Sequence, residues 1–297
     1  MNSAVDELLT IRDWFRWAIS RFEEAQLFYG HGTDNAYDEA AWLILATLKL
    51  PRDRLDPFLD ARLTRNERLA VLNALQQRIA RRLPTAYITQ EAWLGPFRFY
   101  VDERVIVPRS YFAELLADGF APWIDDPTDV SAALDLCTGS GCLAIVMANH
   151  FPYAHIDAID VSPDALAVTR RNIADYGLED QVSAIESDLF AAVGGQTYDL
   201  IISNPPYVTA DAMAALPPEY RHEPSLALAA GDDGLDIVRR ILAAAPDHLN
   251  PGGVLAIEVG HNRDIVDGAF PELPLIWLDT ETAEGKVFML RREDLLD

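Results

Sequence analysis

Cysteine is scarce in this 297-residue sequence: only Cys137 and Cys142 are present, either side of a glycine-rich turn. That number and spacing make neither a disulfide framework nor a zinc site, so a reducing compartment and no metal are expected. No run of about 18 apolar residues occurs, which argues against a membrane-spanning helix. Residues 1–13 are charged rather than signal-like, and a soluble, cytoplasmic protein is the expectation. Positive charge is also short, at 24 Lys and Arg against 47 Asp and Glu, a formal net charge of −23. With no basic patch, a phosphate backbone is a poor partner and no nucleic-acid substrate is expected. Internal repeats and low-complexity tracts are absent too.

The charge deficit is uneven. Through Arg109 the acids and bases balance at 15 each, and beyond it 9 bases face 32 acids. An acidic half attracts basic polypeptides, although a merely soluble surface would have the same composition. Half the residues are apolar, enough for two domains.

Residues 1–84 read as a small helical bundle. Leu8, Ile11, Phe15, Ala18, Ile19 and Phe22 recur on one face of a first helix. A second is expected over 37–48, capped by Asp34 or Asn35 and stopped before Pro51. Thr64-Arg65-Asn66-Glu67 is a capping box for a third, with Leu72, Leu75 and Ile79 as its stripe and Pro84 as its end. A recognition domain and a stabilising appendage would share this pattern. Between the first two helices His31 is bracketed by Gly30 and Gly32 and reads as a turn or contact residue. Residues 85–108 read as a β-hairpin linker, with strands at 86–89, 96–101 and 105–107.

Residues 109–297 alternate strands (130–136, 154–159, 182–186, 198–202, 254–259) with helices (143–149, 163–176, 235–249). They close with a hairpin at 275–278 and 287–290. Such alternation predicts an α/β fold around a parallel sheet. The fourth strand ends in Asn204-Pro205-Pro206-Tyr207. The prolines cannot donate backbone hydrogen bonds and stiffen the exit, which leaves an amide, free carbonyls and a ring at a strand's carboxyl end. Ligands bind at that edge in open α/β sheets, and a planar –NH2 group suits these acceptors. No histidine or carboxylate adjoins this lip in the sequence, so no side-chain base is expected.

The first strand runs through Asp135 into Cys137-Thr138-Gly139-Ser140-Gly141, the second closes on Asp160, and the third is followed by Asp188-Leu189. A strand, glycine turn, helix and strand-end acid form a nucleoside-binding unit, with Asp160 placed for ribose hydroxyls. Ala144 stands where a dinucleotide fingerprint has its third glycine, a tolerated change, but Cys137 stands two before Gly139. A row of acids suits a sulfonium and an adenine amine better than a pyrophosphate.

These residues, in this order, resemble the class I S-adenosylmethionine methyltransferases of the amino type. Within them the chain is similar to the bacterial protein-glutamine methyltransferases, the HemK-like family. Val107-Pro108-Arg109, Glu223-Pro224, Leu228 and Gly231-Asp232-Asp233-Gly234-Leu235 add to the likeness, which covers nearly the whole chain. It implies a mostly parallel seven-stranded sheet, and S-adenosyl-L-methionine held by Asp135, Cys137 to Gly141, Asp160, Asp188, Leu189 and Asn204. It also implies catalysis at Asn204, Pro205, Pro206 and Tyr207. The release-factor branch of the family has Arg-Pro-(Glu/Asp)-Thr-Glu where this chain has Arg109-Ser110-Tyr111-Phe112-Ala113. Tyr29-Gly30-His31-Gly32-Thr33-Asp34-Asn35 is instead similar to the branch acting on the third protein of the large ribosomal subunit, a basic partner met before assembly. An adenine-amino DNA methyltransferase, a nicotinamide dehydrogenase and a non-catalytic binding scaffold are the competing readings of the residues.

Overall fold

The computed structural model describes residues 2–296. They divide into two compact units: the chain through Ala92 together with Pro217–His222, and Trp93–Leu216 together with the chain from Glu223 on.

The first unit is helical: α1 (Asn2–Glu7), α2 (Ile11–Glu24), α3 (Ala36–Thr47), α4 (Arg65–Arg81) and α5 (Thr85–Thr89). Leu8 does not join the first stripe as the sequence suggested. Thr10 caps α2 there: its hydroxyl accepts from the Asp13 N–H at 3.2 Å, while Asp13 Oδ2 accepts from the Thr10 N–H at 2.9 Å. Asn35 and Thr64 cap α3 and α4 as expected. Trp14, Ala18, Phe22, Leu43, Ile44, Val71 and Leu75 are fully buried between them.

Residues 86–89, expected as a strand, belong to α5. Pro84 sets its start, and Thr85 is buried with its hydroxyl donating to Glu39 Oε1 at 2.8 Å, a tertiary bond that overrides the β preference of Tyr87, Ile88 and Thr89. The buried Arg78 guanidinium also meets Glu39, and the Pro218–His222 turn brings Glu219 to it at 3.3 Å. Glu219 further accepts from Arg82 and from the Phe28 N–H at 3.0 Å. Tyr220 lies against His31, ring centroids 4.4 Å apart. His31 is thus a buried contact residue, as the glycine-bracketed turn suggested.

Next come β1 (Ala92–Leu94) and β2 (Phe97–Phe99), a two-stranded hairpin. Residues 105–107, expected as a strand, make no ladder. A turn closes from the Val105 N–H to the Asp102 carbonyl, and the Val107 N–H donates to Glu223 at 2.9 Å instead of to a strand. After α6 (Phe112–Ala117) the second unit is built of β3 (Ala132–Leu136), α7 (Cys142–His150), β4 (His155–Asp160), α8 (Pro163–Tyr176), β5 (Val182–Glu186) and β6 (Tyr198–Ser203). It continues with α9 (Ala210–Ala215), α10 (Asp236–Ala244), β7 (Leu249–Glu258), α11 (Arg263–Ala269), β8 (Ile276–Leu278) and β9 (Val287–Arg291).

The sheet order is β5-β4-β3-β6-β7-β9-β8, parallel except for β9 against its two neighbours. From β3 the chain winds outward through β4 and β5, then returns to β6 on the other side, so the switch point lies between β3 and β6. Two expectations shift here. The helix expected over 235–249 ends as α10 at Ala244, passes through a 3-10 turn at Ala245–His248, and gives way to β7. Asn250-Pro251-Gly252-Gly253 does not end a helix but lies inside β7, at a register irregularity opposite Tyr198 and Leu200 that accommodates Pro251. Among the described residues no helix is long and apolar enough to cross a membrane.

Candidate active site

At the tip of β3 the glycine turn is held from behind. Asp135 is buried, and its Oδ2 accepts from Thr138 Oγ1 at 2.6 Å and from the Ala144 N–H at 3.1 Å, which ties strand, turn and α7 together. Its Oδ1 is buried without a partner, and desolvation pushes the carboxyl up to about 7. Gly141 has φ +79 with Thr169 so close that a Cβ would fall 2.8 Å from it, so only glycine fits. Thr138, Ser140 and Gly141 are buried, while Cys137 and Gly139 are half-buried. Both cysteines are free thiols. Burial pushes Cys142 up to about 12, and burial with the nearby acids raises Cys137, so both stay protonated.

At the tip of β4, Asp160 Oδ2 accepts from the Gly139 N–H and Oδ1 from the Ser162 N–H, both at 2.9 Å, and desolvation raises its carboxyl above the usual range. Each oxygen keeps a second lone pair. Beyond β5, Asp188 pairs with Arg240 at 2.8 Å on the surface, and Leu189 is buried with φ +52. Cys137, Gly139, Asp160, Asp188, Leu189, Asn204 and Pro206 line one cleft, completed by Arg104 and by the Pro224–Ala229 stretch. Pro205 is buried and Tyr207 half-buried, and neither lines that cleft.

The lip is braced on several sides. Ser203 donates to the Leu136 carbonyl at 2.8 Å, joining the tips of β6 and β3. Asn262 Nδ2 donates to the Tyr207 carbonyl at 2.7 Å. The Tyr207 ring covers Gly260 so closely that a Cβ there would stand 2.8 Å from it, and a Cβ on Gly234 would stand 2.5 Å from the Tyr207 carbonyl oxygen. Arg109 grips Glu223 through both nitrogens, at 2.5 and 2.6 Å.

A carboxylate does adjoin the lip, contrary to the expectation. The register pairs Ser203 with Ile257, so Glu258 follows on β7 beside Asn204. Glu258 is buried, with Oε2 accepting from Ser110 Oγ at 2.6 Å and from the Tyr111 N–H at 3.0 Å, and the Asn204 side chain is among the groups that favour its charged form. Desolvation pushes it up to about 7. An acid closing an otherwise apolar strand was the visible signal; its neighbour was hidden because strand order and register are not local properties.

The acceptor set fits a cationic nucleoside-like group: Asp160 and Asp188 line the cleft, and Asp135 stands behind the glycine turn with its buried Oδ1 unpartnered. Among the described residues there is no cluster of three or more His, Cys, Asp or Glu side chains placed for a metal ion.

The sheet order and this switch-point cleft define a class I S-adenosylmethionine-dependent methyltransferase fold, and the family model "Methyltransferase small domain" matches residues 120–216. Curated relatives are more specific. A ribosomal protein uL3 glutamine methyltransferase of Neisseria gonorrhoeae is 59% identical over 99% of this chain and 98% of its own. Those of Bordetella pertussis (55%, 99% of each chain) and Bradyrhizobium diazoefficiens (52%, 97% of this chain and 92% of its own) match over nearly their whole length as well. The chain belongs to the family of the ribosomal protein uL3 glutamine methyltransferases, in agreement with its HemK-like motifs. Solved structures align more loosely; the ribosomal protein L11 methylase of Lactobacillus delbrueckii subsp. bulgaricus shares 20% identity over 60% of this chain and 75% of its own, with a TM-score of 0.40.

Proposed function

We propose that this chain methylates the side-chain amide nitrogen of a glutamine in ribosomal protein uL3, using S-adenosyl-L-methionine. The substrate follows from the names of relatives covering both chains almost end to end. The chemistry follows from one observation: Asn204 and Pro206 of the lip face the same cleft as Asp160 and Asp188. S-adenosylmethionine supplies an electrophilic methyl group carried on a sulfonium. Asp160 would take the ribose hydroxyls, Asp188 the adenine amine with Leu189 against the ring, and Asp135 the cationic end, with Cys137 to Gly141 letting the backbone approach.

An amide nitrogen is a weak nucleophile because its lone pair is delocalised. In this reading the Asn204 side-chain carbonyl and the Pro205 backbone carbonyl each accept one of its hydrogens, and Tyr207 packs on the amide plane. Acceptors fixed in advance stabilise the positive charge that develops on nitrogen. Fixing attack geometry contributes up to roughly 7–11 kcal/mol, more than a single general base supplies. The proton leaves to solvent once the methyl is bound. The site of action is the cytoplasm, where a ribosomal protein is made.

Asn204→Ala is expected to lower kcat by about 100-fold or more with cofactor affinity within a few-fold of the parent. Asp160→Ala is expected to weaken cofactor binding first. Equilibrium titration beside methyl transfer to purified uL3 separates the two, and an active Asn204→Ala enzyme overturns the scheme.

A further inference from the structure

We infer that Glu258 is a positioning residue for methyl transfer: it takes the N–H side of the Asn204 amide and thereby turns the Asn204 carbonyl oxygen to the cleft. This role rests on the one proposed for Asn204, as an acceptor for the substrate amide. A carboxamide has two orientations related by a flip, nearly equal in shape and opposite in polarity. Only one presents an acceptor to an incoming –NH2 group.

The register sets Glu258 directly beside Asn204, and the burial of Glu258 makes it a dry neighbour. Ionised, as it is above about pH 7, the Glu258 carboxyl only accepts. Oε2 is occupied by the Ser110 hydroxyl and the Tyr111 N–H, which leaves Oε1 to face Asn204. Turning the Asn204 oxygen toward it would set two acceptors against each other in a buried place and aim N–H groups at the substrate's own N–H groups. The Ser110 hydroxyl is itself held, accepting from the Phe112 N–H at 3.2 Å, so the carboxylate sits on a fixed seat.

Glu258→Gln tests this with almost no change of shape. The Tyr111 backbone N–H cannot reverse, so the introduced amide keeps its oxygen on that side and its –NH2 faces Asn204. Asn204 must then flip, and its acceptor leaves the cleft. The expected result is a fall in kcat of about tenfold or more, with KM for uL3 and the equilibrium affinity for S-adenosylmethionine within about twofold of the parent. Unchanged kcat, or kcat falling together with cofactor affinity, overturns the inference. If Glu258→Gln does not fold, Ser110→Ala decides: it loosens the seat and is expected to lower kcat alone by a smaller factor, while no effect on kcat overturns the inference. Asn204→Ala, run alongside, keeps the two readings apart. An inactive Asn204→Ala enzyme with a fully active Glu258→Gln enzyme refutes only the positioning role, whereas an active Asn204→Ala enzyme refutes the acceptor role beneath it.

Discussion

Two carboxyls in this molecule are held against their own charge. Asp135 and Glu258 are 1% and 2% exposed, and burial lifts both to about 7. In the unfolded chain they titrate near their ordinary values, so between about pH 4 and 7 the folded protein binds more protons than the unfolded one. Stability is then lost as pH rises through that window, the reverse of a salt-bridged acid. Each carboxyl accounts for a loss on the order of 3–4 kcal/mol. The ligand-free protein is therefore expected to melt lower at pH 8 than at pH 5, and Asp135→Asn to flatten that difference in a thermal or denaturant series at both pH values. An unaltered slope in Asp135→Asn would show that its carboxyl does not carry the penalty.

At the scale of elements, the working parts are strand ends. β4 and β6 finish on the polar residues Asp160 and Ser203, Asp135 is the last residue but one of β3, and the β5 acid Asp188 follows two residues beyond its strand. The lip continues past β6 into a parallel bridge between Val208 and Ala229 that fixes its course. Gly260, just after β7, is the floor under the Tyr207 ring, with φ +56. Gly260→Ala adds a methyl 2.8 Å from that ring and strains the backbone as well. The ring must move, and kcat is expected to fall by about tenfold or more while cofactor affinity holds, read by the same titration and transfer assays. The helical unit shows the opposite economy. Arg78, Glu39 and Glu219 form a buried charge cluster whose members come from α4, α3 and the distant Pro218–His222 turn.

For the whole molecule, charge is the governing quantity. The chain beyond Arg109 carries the entire net charge of −23. Such a field draws in a basic polypeptide and repels one already wrapped in RNA. Free uL3 is accordingly the expected substrate: its kcat/KM should exceed that of the assembled large subunit, and added salt should lower it. Faster methylation of the intact particle would reverse this assignment.

The order of strands and helices in the second unit was legible from hydrophobic runs and glycine or proline stops, because those signals are local. So were the positions of Asp135, Asp160 and Asp188 at or next to strand ends, the glycine turn and the Asn204 to Tyr207 lip, since the end of an apolar run is visible in its own neighbourhood. Thr85–Thr89 was not legible: Tyr87, Ile88 and Thr89, with their β preference, became part of a helix because Thr85 bonds to Glu39, 46 positions away. Nor was the packing of His31 against Tyr220, or the partner of Asn204. Periodicity tells what a segment will do beside water and apolar surface, whereas register and the return of a distant turn are decided only when the chain closes on itself. Glu258 had its place in the sequence all along, and only the alignment of β6 with β7 gave it Asn204 for a neighbour.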